Sequence, residues 1–287
     1  MRPIAVTGIG SWSFDPVLAV AVAAATCLYI AGLKKLWVGG RGRGFPLRRA
    51  VAFFAGLVGL VFALMSPLDA LAAELFSFHM VQHLVLILMV APLLVYGAPT
   101  LVITLALPHD TRRGVRKLER SRPAMLLKSA LLHPALAGAF FAVALWTWHL
   151  PSLYESAVVD DRWHVLEHSS FVTASLLFWM QVIGRRRHRL DFGPAILLVF
   201  VSGLQSAALS VVLIFSGRAL YPIHARNTSA WGLTPLEDQQ LAGAIMWTPV
   251  GLIFLTTIVV LLARWLRAMD RRRPPTETGA TVSWSGR

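Results

Sequence analysis

Nine histidines punctuate this chain, and four of them fall as two pairs four residues apart, His79 with His83 and His164 with His168. On an α-helix, residues at i and i+4 share a face with Cβ atoms about 6 Å apart, so both rings of a pair can reach one ion. Two such pairs on different helices can close one four-nitrogen site or two adjacent sites. Neutral imidazole suits copper, zinc, iron and nickel. The single cysteine, Cys27, permits no intrachain disulfide and no paired-thiolate site, which leaves histidine, methionine and carboxylate as metal ligands. Met80 sits beside the first pair, and Met246 lies farther along the chain, after the acidic Glu237 and Asp238. A carboxylate there can ligate directly or orient a histidine from behind. The competing account is a polar network in which the histidines only hydrogen-bond.

The elements that position these groups are membrane spans. Of 287 residues, 56% are hydrophobic and only 14% charged, with a mean hydropathy of +0.63; an ordinary soluble domain carries about 25% charged residues. About 20 apolar residues at 1.5 Å rise cross the hydrocarbon core. Seven stretches qualify: Pro16–Leu33, Ala50–Leu68, Phe76–Tyr96, Ser129–His149, His164–Gly184, Phe192–Gly217 and Gln239–Ala263. Gly97-Ala98-Pro99 breaks the third, which leaves Thr100–Leu107 as an interfacial or re-entrant piece. The first run reads as a retained span rather than a cleaved signal, because Asp15 and Pro16 precede it where a signal has a basic start. The expected fold is an all-α seven-transmembrane bundle over residues 1–269, with a disordered cytoplasmic tail at 270–287.

Charge sets the orientation. Lys and Arg concentrate on the cytoplasmic side of a bilayer. Connections 34–49, 109–128, 185–191 and 264–287 hold 23 of the 27 basic residues, leaving Arg2, Arg162, Arg218 and Arg226 for the other face. That other face carries nine of the 14 acidic residues. The N-terminus is therefore expected outside and the C-terminus inside. The formal charge of +13 then reads as a topology signal facing anionic lipid, and nucleic acid is excluded as a partner.

With that orientation, His79 and His83 open the third span, His149 closes the fourth, and His164 and His168 open the fifth, all near the outer surface. The expected metal ligands are His79, His83, His164 and His168, followed by His149 and Asp238. His224, in the last outer loop, and His133, before Pro134, read as structural. Glu167 reads equally as a helix cap or as a neighbour of the ligands. His164-Val165-Leu166-Glu167-His168 also matches the H-x-x-E-H pattern of inverted zinc proteases, but no soluble catalytic domain surrounds it. Gln205 with Ser202, Ser206 and Ser210 suggests interhelical hydrogen bonding inside the sixth span. Trp146, Trp148, Trp163 and Trp231 suit interfacial anchoring.

Four stretches carry a family resemblance: HMVQHLVLILMVAPLLVYGAP at 79–99, LWTWHLP at 145–151, HVLEHSSF at 164–171 and WGLTPLEDQQLAGAIMW at 231–247. In order and content they resemble the membrane-integral CtaG-type cytochrome c oxidase assembly factors, from the third span through the seventh. The resemblance implies a non-enzymatic role in maturing a haem-copper oxidase by delivering or inserting copper, with oxidase subunits as partners, in a bacterial plasma membrane. It implies His79, His83, His149, His164, His168 and the segment from Glu237 to Gln240 as the functional positions. The residues alone leave two other roles open: a copper transporter, and a protein holding haem or a redox metal.

Overall fold

At the centre of the bundle stands a helix that other helices surround. The computed structural model describes residues 12–42, 44–184 and 189–271. The helices are α1 (Pro16–Leu36), α2 (Leu47–Met65), α3 (Pro67–Glu74), α4 (Phe76–Gly97), α5 (Pro99–Ala106), α6 (His109–Glu119), α7 (Arg122–Leu131), α8 (Pro134–Trp148), α9 (Pro151–Val159), α10 (Asp161–Ile183), α11 (Phe192–Phe215) and α12 (Pro235–Asp270). No strand occurs among the described residues. Helix α4 packs against α2, α3, α10 and α12, while α11 lies along α12, and α8 lies against α10 and α11. Helix α1 is peripheral and packs chiefly on α5.

Five helices are long and apolar enough to cross a membrane: α1, α2, α4, α11 and α12. A sixth span arises if α7 and α8 count as one broken span, bent by 65°. The fourth span expected at Ser129–His149 is thus broken near its start by this bend. Pro134 disfavours helical geometry at the residue before it, and His133 accordingly has extended backbone at φ −72°, ψ 125°. Helix α10 has 23 residues, but His164, Glu167 and His168 in its first turns lower its apolarity. The tail beyond residue 271 and the Arg185–His188 linker lie outside the described residues.

Close helix approach in a bilayer depends on small residues, because lipid is as apolar as a leucine side chain and packing must do the work. At Gly32 of α1, a Cβ would lie 2.0 Å from the Val102 carbonyl oxygen of α5. At Gly97, the end of α4, it would meet the Phe53 Cβ of α2 at 2.7 Å. Tyr29 of α1 donates to the Gly97 carbonyl at 2.8 Å, which ties α1 to the break. Ala98 takes a left-handed conformation, φ 50°, and α5 then folds back on α1.

Helix α4 is not regular throughout. Val85–Val90 is π-helical, and the Ala91 N–H donates to the Leu86 carbonyl five residues back. Pro92 has no N–H to give, and the wide turn sits just before it. The Ile87 carbonyl, five residues before Pro92, instead accepts the Trp179 indole N–H of α10 at 2.8 Å. A wide turn of this kind inside an α-helix often marks a functional site. Here it begins two residues after His83 and joins α4 to α10.

Candidate metal centre

Helices α4 and α10 bring the two histidine pairs together, as their spacing predicts. Ring centroids are 4.3 Å apart for His79–His83 and 4.2 Å for His164–His168. Across the two helices they are 5.9 Å for His79–His164, 6.1 Å for His79–His168 and 5.3 Å for His83–His168. The tightest ligand set is His79, His83, Glu167 and His168, with one ligand atom from each lying within 4.8 Å of every other. All four residues are buried. His164 borders this set and is only half-buried.

Glu167 is the member that sequence reasoning left undecided. Its relative exposure is 0%. His79 Nε2 lies 3.5 Å from one carboxylate oxygen and His83 Nε2 lies 3.6 Å from the other. Those separations exceed the 2.7–3.2 Å of a hydrogen bond. Both carboxylate oxygens, His79 Nε2, both His83 nitrogens and His168 Nε2 are buried without a hydrogen-bond partner. Neighbouring ligands of one tetrahedral ion, with bonds of about 2.0–2.1 Å, stand about 3.3–3.4 Å apart. The two His–Glu separations lie near that ligand–ligand distance, while the set as a whole spreads to within 4.8 Å. The signal in the sequence was the i, i+3, i+4 spacing of His164, Glu167 and His168, which sets all three on one face of α10.

The other expected ligands have different neighbours. Asp238, at the start of α12, accepts the backbone N–H of Phe76 at 2.8 Å and of Ser77 at 3.1 Å. Helix α4 has no capping side chain of its own, so a carboxylate from another helix satisfies its first turn and complements its dipole. The neighbouring Glu237 caps α12 itself in a reciprocal arrangement with Thr234. Hydrogen bonds from Thr234 hold the Glu237 carboxyl below its ordinary pKa. His149, the residue after α8, is buried beside Met80, with Nε2 and Sδ 3.3 Å apart. His224 takes a structural place: Tyr154 donates to its Nε2 at 2.7 Å, and its Nδ1–H donates to the Glu74 carbonyl at 3.0 Å. Burial pushes its pKa down to about 4.

Of the remaining polar groups, some join helices and others bond within their own. The Trp146 indole N–H donates to Gln205 Oε1 at 2.8 Å, linking α8 and α11. Ser206 and Ser210 bond back to carbonyls of their own helix. Trp148 donates to Ser170 at 2.6 Å, and Trp231 to Glu74 at 3.1 Å. These indole N–H groups fasten elements to one another.

An apolar helical bundle thus encloses a carboxylate and three imidazoles, a donor set that could hold a cation. The family model described as cytochrome c oxidase caa3 assembly factor (Caa3_CtaG) matches residues 27–268, and the chain belongs to that family. The match takes in the second span and about half of the first, where the four sequence stretches carried little. Among curated proteins the chain is 28% identical to an uncharacterized protein of Mycobacterium bovis and 28% identical to one of Mycobacterium tuberculosis, over 91% of its own length in each case. It is 27% identical to an uncharacterized protein of Mycobacterium leprae, over the same share. The chain spans about 40% of the length of these relatives. No solved structure gives a significant match.

Proposed function

We propose that this chain binds copper at His79, His83, Glu167 and His168 and passes it to a subunit of a haem-copper oxidase during assembly. The observation that carries the reading is Glu167, a fully buried carboxylate with no hydrogen-bond donor and three imidazoles around it. An ionised carboxylate in an apolar interior is costly unless a counter-charge compensates it. A bound cation supplies that charge, and imidazole with carboxylate is a donor set that copper accepts. Family membership supplies the oxidase side of the proposal. The chain's own part is to hold the ion: α4 and α10 fix the four groups, and His164 lies next to them as the most exposed imidazole of the group.

The proposed topology has seven spans, with the six described above joined by α10, whose polar residues turn inward to the cluster. The N-terminus lies outside, the basic connections lie in the cytoplasm, and the centre lies toward the outer face of a bacterial plasma membrane. The cavity beside the centre has a volume of about 20 Å³, far too small for a porphyrin, which favours an ion over haem. Non-catalytic delivery fits a site whose ligands are all occupied in holding the cargo.

The test is metal content and affinity of the purified protein, wild type against Glu167→Gln, His83→Ala and His168→Ala. The expected result is at least a tenfold loss of copper affinity in each variant, with correspondingly poor oxidase maturation when the variant replaces the wild type in cells. Equal copper content in all four proteins would remove the proposal.

A further inference from the structure

Met80 and His149 make a contact that hydrogen bonding explains poorly. His149 Nδ1 lies 2.7 Å from the Leu145 carbonyl oxygen. A carbonyl only accepts, so Nδ1 carries the proton, and the neutral ring has its lone pair on Nε2. That lone pair faces the Met80 thioether at 3.3 Å. Two acceptors then confront each other inside the protein, where His149 is 7% exposed and Met80 is 2% exposed. The separation is close to the edge between adjacent nitrogen and sulfur ligands of one ion, with bonds of about 2.0 and 2.3 Å.

The surroundings complete the set. Met80, His149, His83 and Met246 line the same small cavity, whose other walls include Leu145 and Phe171. A second thioether-bearing residue thus lines the same cavity as Met80 and His149. Thioether sulfur selects soft monovalent copper, whereas the neighbouring imidazole and carboxylate groups are harder. His83 borders both places, with Nε2 toward Glu167 and an edge on the cavity.

We propose a second metal site, selective for Cu(I), formed by Met80 Sδ and His149 Nε2 with Met246 at its open side, adjoining the His–Glu centre through His83. Its use as a station for copper cargo rests on the function proposed above, but its ligand chemistry does not.

Ag(I), a redox-stable stand-in for Cu(I), and Co(II), a probe of harder sites, separate the two centres in the purified full chain. Met80→Leu, which keeps the side-chain volume, is expected to lower Ag(I) affinity at least tenfold and leave Co(II) binding as in the wild type. Glu167→Gln is expected to do the reverse. Unchanged Ag(I) binding in Met80→Leu would overturn the proposal and leave an imidazole merely packed on sulfur. If Glu167→Gln retains Co(II) while Met80→Leu loses Ag(I), the His–Glu reading fails and the soft site stands. X-ray absorption on Cu(I)-loaded wild type decides the matter even if Met80→Leu does not fold. A sulfur neighbour at about 2.3 Å supports the site, and a shell of nitrogen and oxygen alone overturns it.

Discussion

At Glu167, burial and charge pull in opposite directions. A carboxylate with no donor within reach is a poor residue for a helix interior, and its neighbours offer only imidazole nitrogens at 3.5 and 3.6 Å. His224 shows the contrasting case of a buried histidine with both nitrogens satisfied. With its pKa held near 4 by burial against about 6.5 in an unfolded chain, the folded state keeps this ring neutral where the unfolded chain takes up a proton. Its stabilising contribution is therefore complete above about pH 6.5 and drains away as pH falls toward 4. The melting temperature in detergent should fall over that window, and His224→Asn should flatten the fall; an unchanged slope would contradict the assignment. The histidine pairs were legible because i,i+4 spacing is local information. Glu167 was ambiguous, since a helix expected to begin at His164 puts it in the first turn, where a carboxylate suits a cap or a ligand equally well; the helix in fact begins at Asp161. The capping contacts of Asp238 were not legible, because its partners, Phe76 and Ser77, lie about 160 residues away.

Among the elements, α4 owes its starting point to α12. Both oxygens of Asp238 accept N–H groups from the first turn of α4, one turn before His79. Hydrogen bonds to a charged group contribute about 1.5–3 kcal/mol each, and orphaned buried N–H groups are costly. Asp238→Ala should lower the melting temperature by several degrees and keep the metal stoichiometry of the wild type, because the Asp238 carboxylate is engaged elsewhere. Loss of one metal equivalent without destabilisation would instead make it a ligand. Sequence reading located most helices to within a few residues, since uncharged runs and prolines are strong local signals. It missed the 65° bend at His133, although Pro134 gave the hint, because an uncharged run reveals length and not direction. It also left the outer connections as loops, where the chain forms the short helices α3 and α9.

For the molecule as a whole, the sorting of basic and acidic residues supports the proposed orientation. In a Cys27→Ser background, Ser152→Cys, in the connection after α8, should react with a membrane-impermeant maleimide on intact spheroplasts. Gly114→Cys, in the basic helix α6, should react only after lysis. The opposite pattern would invert the proposed topology. Apolarity and charge placement made the bundle legible, because the bilayer imposes both on any chain that crosses it. The packing order of the helices was not legible, since it depends on contacts such as Gly32 on Val102 and Trp179 on Ile87. The mycobacterial relatives are longer than this chain, and the segment similar to it makes up about 40% of each.

The wide turn at Val85–Val90 behaves like a spacer in a screw thread. Each α-helical residue advances the rotation by about 100°, so deleting one residue there would swing everything on one side of it by roughly that angle relative to the other. With the Gly97 end pinned by Tyr29 and Phe53, the imidazoles of α4 would point away from Glu167. Chain length in this stretch is thus as much a part of the proposed metal centre as its candidate ligands, although none of its six side chains offers an electron pair suited to a hard cation.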